Sequence, residues 1–116
     1  MNVYHVWCDL KPGVKDLAFS EHSAAYLDHL KAGGLIEGWR LTRRKLGLAP
    51  PGLGEFHVMI FVRDLAQLDR AFDHAASRKE PVEGLHFAVN SLVMNASFAL
   101  YRDFPDPARQ RGEELF

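Results

Sequence analysis

Two short stretches constrain what this chain can fold into more than any others: Tyr4-His5-Val6-Trp7-Cys8-Asp9-Leu10 and Phe56-His57-Val58-Met59-Ile60-Phe61-Val62. Both alternate with a period of two. A half-buried β-strand requires that period, because successive side chains leave a strand on opposite faces. One set of positions is apolar throughout: Val6, Cys8 and Leu10 in the first stretch, and Phe56, Val58, Ile60 and Val62 in the second. The other set is mixed, with His5, Trp7 and Asp9 answered by His57, Met59 and Phe61. A face carrying two imidazoles, a carboxylate and an indole among apolar groups is neither dry core nor ordinary surface. It is a pocket wall or a subunit interface, and the sequence leaves both open.

The remaining elements follow from turn and cap signals. The first strand spans about Val3 to Leu10 and ends at Lys11-Pro12-Gly13. A helix is expected from Asp16, read as its N-cap, to Ala32, where Gly33-Gly34 stops it. Phe19, Ser23, Tyr26 and Leu30 share its inner stripe with Leu27 alongside, and His22 and His29 lie along one edge. Leu35 to Leu46 reads as a second strand, and Gly47 to Gly54, with Pro50-Pro51, cannot continue a ladder. After the strand Glu55–Arg63, Asp64 caps a second helix with Gln67 completing a capping box. That helix runs to about Arg78, burying Leu65, Leu68, Phe72, Ala75 and Ala76 and turning His74 outward. Pro81 to Val93 fits a short helix better than a strand, and a last strand spans Asn95 to Phe104. The tail that follows is polar but finishes in Leu115-Phe116, an apolar end that suits either a frayed terminus or docking on a partner subunit.

The order is β-α-β-β-α-(α)-β. Split β-α-β units of this kind make a four-stranded antiparallel sheet with the helices on one face, and the first and third strands are central neighbours. With 116 residues the chain is one domain, taken as residues 1–104 with a tail over 105–116. A net charge of -1 excludes the basic excess of a general nucleic-acid or anionic-membrane binder. The single cysteine, Cys8, has no intramolecular partner and suits a reducing compartment. Met1 to His5 shows no basic region leading into an apolar run, and no stretch nears the roughly 18 apolar residues of a membrane span. A soluble, cytoplasmic protein is expected, with no membrane or nucleic-acid partner.

The two opening stretches, together with Arg40-Leu41-Thr42-Arg43-Arg44-Lys45-Leu46-Gly47 and Gly54-Glu55-Phe56-His57, carry a resemblance. Over nearly the whole chain the pattern resembles the ferredoxin-like domains of the dimeric α+β barrel superfamily, and it looks like a small uncharacterised bacterial family within it. The resemblance implies an α+β fold in which two sheets pack face to face, forming a barrel shared by a homodimer. Relatives include cofactor-free monooxygenases of polyketide-like substrates, lactone isomerases, haem-binding enzymes and stress-induced proteins. No single catalytic motif covers that range, so no residue role is carried over. Dimerisation has its own physical argument, because an open face bearing Trp7, Met59 and Phe61 is an apolar patch that two-fold pairing would cover.

If the central strands pair with midpoints opposed, Trp7 faces Met59, His5 faces Phe61 and Asp9 faces His57. The catalytic candidates are therefore His57, Asp9 and His5, since a carboxylate beside an imidazole fixes its tautomer for general-base work. The competing reading is a structural hydrogen bond at the rim of an interface. Ligand-binding candidates are Trp7, Met59 and Phe61 on the face, Tyr26 and His22 four apart on the first helix, and Arg40 as a carboxylate or phosphate clamp. With Glu37 and Glu55 nearby, the run Arg40, Arg43, Arg44 and Lys45 is also a plain solvated edge that guards against strand addition. The six histidines form no metal-ligand spacing, and His22 and His29 stand about 10 Å apart along a helix, so no metal is expected, nor any cofactor. RNA recognition shares the element order, but Glu55–Phe61 lacks the basic-Gly-aromatic-Gly start of its motif. Two functions remain: a dimeric barrel that binds a small organic ligand, with cofactor-free acid–base chemistry of a monooxygenase or isomerase kind, and a non-catalytic dimerising structural or stress-related module.

Overall fold

A computed structural model describes residues 1–109, 111 and 112. The elements are β1 (Asn2–Leu10), α1 (Asp16–Ala32), β2 (Gly38–Arg43), β3 (Phe56–Val62), α2 (Leu65–Ala76), α3 (Val82–Asn90) and β4 (Val93–Arg102). The strands form one antiparallel sheet in the order β2-β3-β1-β4, with β1 and β3 central as their patterns require. Val58 and Val62 of β3, Leu27 and Leu30 of α1, and Leu68 and Ala71 of α2 pack into one core cluster. All three helices thus cover the face on which the apolar positions of β1 and β3 lie. A second cluster joins Cys8, Phe19 and Phe56. Leu115 and Phe116, read above as a docking tail, lie outside the described residues. Among the described residues, no helix is long and apolar enough to cross a membrane.

The register of the central pair differs from the expected one by two residues. Trp7 stands opposite His57, His5 opposite Met59 and Val3 opposite Phe61. A two-residue slip keeps every side chain on its own face, so alternation alone is blind to it. Two contacts between β1 and the residues just before β3 set the actual register. Asp9 Oδ1 accepts the backbone N–H of Glu55 at 2.9 Å. Gly54 lies so close to Cys8 that a Cβ on it would stand 2.5 to 2.7 Å from three backbone atoms of that residue. Only glycine allows that approach, and it places Phe56 opposite Cys8.

Local chemistry also moves several boundaries. Asp16 is the first residue of α1 and not its cap; its carboxylate accepts Leu17 N–H at 2.7 Å and pairs with Arg43 at 2.9 Å. Strand β2 is shorter than Leu35–Leu46, and beyond its C-terminal end Leu46 and Gly47 take positive φ values of 55 and 68 that no ladder accepts. Asp64 does cap α2, accepting Gln67 N–H at 2.8 Å, but Gln67 does not close a capping box. Its carbonyl accepts Arg63 N–H at 2.9 Å, and its amide donates to Gly34 O at 3.1 Å. This buried anchor turns Gln67, Leu68 and Ala71 inward. Leu65 and Phe72, expected inside, are therefore 44% and 47% exposed. His74 is half-buried and meets His29 across α1 and α2 with Nε2 atoms 3.2 Å apart. The segment from Pro81 is helical, with Val82 fully buried. Strand β4 starts two residues before Asn95, which sits at φ 57 beside a register shift in the β1–β4 ladder and gives its amide to Asp9 Oδ2 at 3.1 Å.

Candidate functional site

The sheet has two chemically different sides. On the open side, strand alternation brings His5, Trp7, His57, Met59 and Phe61 together, and cross-strand pairing adds Arg40 opposite Met59. His5 Nδ1 and His57 Nε2 stand 2.8 Å apart. Their ring centroids are 5.1 Å apart with planes at 19°. At that separation, with the nitrogens in hydrogen-bond contact, the imidazoles meet edge to edge. Trp7 lies flat against them, 4.4 Å from His57 and 5.4 Å from His5 between centroids. Tyr101 meets His5 edge-on at 5.1 Å. Partial burial lowers the pKa of both imidazoles, and each proton on His5 further disfavours one on His57.

The expected Asp9–His57 pair is absent. The two-residue register difference removes Asp9 from His57, and its carboxylate is occupied by Glu55 N–H and the Asn95 amide. Those hydrogen bonds, the Glu55 one first, hold its pKa below the usual carboxylate value. His57 has His5 as its partner instead. His22, expected beside Tyr26 on one ligand, is exposed on α1, whereas Tyr26 is half-buried. The candidate residues therefore do not form a single site: His5, Trp7, His57, Met59, Phe61 and Arg40 share the open face, and Tyr26 lies on the other side of the sheet.

On that other side, a cavity of about 270 Å³ lies between the sheet and the three helices. Its floor is Tyr4, Val6, Cys8, Val58 and Ile60, and Leu27, Leu30 and Leu68 stand among its helical walls. Phe72 and Phe98, which flank the Tyr4 ring, are 47% and 62% exposed and mark where the cavity meets solvent. Polar groups come from two helices. Ser23 and Tyr26 line it from α1, one turn apart, and His86 and Asn90 line it from α3, also one turn apart. The Tyr26 and His86 rings are 5.3 Å apart. No Asp, Glu, Lys or Arg lines the cavity among the described residues. Burial, and secondarily the charge of Tyr4, raises the pKa of Tyr26, so its phenol stays protonated as a donor. Burial, then the charge of Asp9, pushes the Cys8 thiol up to about 11, which keeps it from acting as a thiolate. Among the described residues no three His, Cys, Asp or Glu side chains gather as a metal-binding group.

Sequence reasoning found Tyr26 but passed over Ser23, His86 and Asn90 as site residues. The signal for Ser23 was a hydroxyl inside an otherwise apolar helical stripe. For His86 and Asn90 it was their four-residue spacing in a stretch whose apolar positions were weighed alone.

The chain belongs to the family of unknown function DUF6614, whose model covers residues 1–116. No curated protein matches it. Among solved structures it is similar to SnoaB of Streptomyces nogalater, described as a cofactor-independent oxygenase, at 9% identity and TM-score 0.67, with 93% of this chain and 97% of that one covered. It is similar to At3g17210 of Arabidopsis thaliana at 9% identity and TM-score 0.71, covering 91% and 98%. A dimeric ferredoxin-like protein of unknown function from Jannaschia sp. matches at 14% identity and TM-score 0.60, covering 89% and 100%. At these identities the likeness speaks to the fold, which is that of the dimeric ferredoxin-like α+β proteins.

Proposed function

We propose that the chain works as a two-fold homodimer joined through the open sheet face. Each subunit binds a small, uncharged, mostly apolar organic molecule in the cavity between sheet and helices. The observation that carries this reading is the cavity itself. Its volume of about 270 Å³ lies near the lower end of ligand sites, its walls are apolar, and a few polar groups converge on it. Side-chain acid–base chemistry without a cofactor is open to His86 and Tyr26, whose rings lie 5.3 Å apart in the cavity lining. The dimer is supported by the dimeric relatives and by the half-buried apolar side chains of Trp7, Met59 and Phe61 on an otherwise uncovered sheet. In a cytoplasmic setting the buried Cys8 thiol stays reduced.

Light scattering on the native chain and on Trp7→Arg, with thermal-shift screening of both against neutral aromatic and lactone compounds, tests the reading. A dimer that becomes monomeric in the variant, and ligands whose binding is weakened by His86→Ala or Tyr26→Phe, are the expected results. A native monomer, or binding insensitive to both cavity variants, is the contrary result.

The His5–His57 hydrogen bond favours a second reading. An edge-to-edge imidazole pair passes a proton readily, and pairing of two sheets would enclose it in a barrel with Trp7 as a stacking platform. In that reading His57→Gln abolishes turnover of a bound ligand while His86→Ala leaves it intact. If neither variant changes turnover, the non-catalytic dimer is the better account.

A further inference from the structure

Among the described residues, one buried side-chain polar atom has no hydrogen-bond partner: the Oγ of Ser23, a residue 2% exposed. A serine inside a helix ordinarily returns its hydroxyl to a carbonyl one turn back or points it at water. A buried hydroxyl left without a partner is costly, so its retention calls for an explanation. This one lines the cavity.

We propose that Ser23 is the specificity-determining donor of the cavity, holding an uncharged, flat ligand of about one or two fused rings by a carbonyl oxygen, with Tyr26 as second donor; the proposal rests on the cavity being the ligand site. Four observations support it. Ser23 and Tyr26 lie one turn apart on α1 and both belong to the cavity lining, so the two hydroxyl-bearing side chains come from one helix face. Two hydroxyl donors select an acceptor on the ligand, and a carbonyl oxygen with two lone pairs can take both bonds. Opposite them, Val6, Cys8, Val58 and Ile60 form the apolar part of a floor in which Tyr4 alone carries a strong donor, and that part suits the face of a ring. The lining contains no lysine or arginine among the described residues, so a carboxylate or phosphate would be buried without a counter-charge. The ligand thus has one polar edge turned to α1 and α3 and one apolar face turned to the sheet.

The test uses 6-acetyl-2-dimethylaminonaphthalene, a flat fluorophore whose emission moves to longer wavelength when its carbonyl accepts a hydrogen bond, against 2-dimethylaminonaphthalene, which lacks the carbonyl. The native chain is expected to bind the carbonyl probe about five- to tenfold more tightly than the analogue, as a donated hydrogen bond to a buried acceptor warrants, with red-shifted emission. Ser23→Ala is expected to lose most of that preference and of the emission shift while still binding the carbonyl-free analogue. If the native chain binds both probes equally and Ser23→Ala changes neither affinity nor emission, Ser23 is no donor to the ligand, and the cavity reading survives without it. If neither probe binds, the cavity reading itself fails, and this inference falls with it.

Discussion

Replacing Ser23 by alanine should make the ligand-free protein more stable. The hydroxyl oxygen is enclosed and unpartnered, and such a group costs about 1–3 kcal/mol relative to one that is satisfied. Ser23 also lies in the interior of α1, where alanine is the better helix former by about 0.5 kcal/mol. Against these gains stands the small loss of packing from one deleted oxygen, in a region that already holds an open cavity. The net expectation is a stabilisation of about 1–2 kcal/mol. For a domain of this size that corresponds to a rise in Tm of about 4–8 °C. Urea unfolding reads it most directly: the midpoint should rise with the slope unchanged, because the surface exposed on unfolding is the same. Protein concentration must be held constant between variants, since a dimer's apparent stability depends on it. A midpoint that stays put or falls would show that the hydroxyl already has a partner, and the reasoning that it awaits a ligand would be refuted. A bound carbonyl ligand should reverse the order, stabilising the native chain more than Ser23→Ala by linkage.

Other expectations follow from single contacts. The pKa values of His5 and His57 are both lowered on folding. The unfolded chain therefore binds more protons in the interval below about pH 6.5, and stability should be complete above that pH and fall as pH drops through the lowered values. Thermal melts between pH 5 and 8 should show this loss, and His57→Gln should flatten the profile; an unchanged slope in the variant would rule out the imidazole pair as its source. Gly54→Ala should cost about 3 kcal/mol or more, because its Cβ would meet Cys8 backbone at 2.5 Å and neither strand end can yield cheaply. A urea midpoint close to native would mean that the close approach does not hold the register. Gln67→Ala should cost about 1–3 kcal/mol by stranding Arg63 N–H and Gly34 O, both bonded to that buried amide; a loss under about 0.5 kcal/mol would contradict the anchoring role given to Gln67.

Much of the architecture was legible in local patterns. Period-two alternation in Tyr4–Leu10 and Phe56–Val62 told which side chains face the helices, because adjacent residues of a strand cannot share a face. Gly33-Gly34, the Asp64 cap and the prolines marked where elements stop, since each acts on its own neighbourhood. Element order then implied the central pairing of β1 with β3. These determinants reach only a few residues along the chain.

What the tertiary structure alone decided depends on atoms far apart in sequence. The register is one case: a slip of two leaves every face unchanged, and the choice rests on Gly54 against Cys8 and on Asp9 holding Glu55 N–H, contacts made across 46 residues. That choice separates Asp9 from His57 and joins His57 to His5. The cavity is the other case. Ser23 and Tyr26 on α1 meet His86 and Asn90 on α3 only because both helices pack on one face of the sheet. No periodicity in either helix contains that meeting. The sequence by itself determined which positions of β1 and β3 turn toward the helices and that a helix or strand lies in each stretch; the bounds of β2, the inward face of α2 and which residues confront each other were decided by the packing of three helices over one sheet.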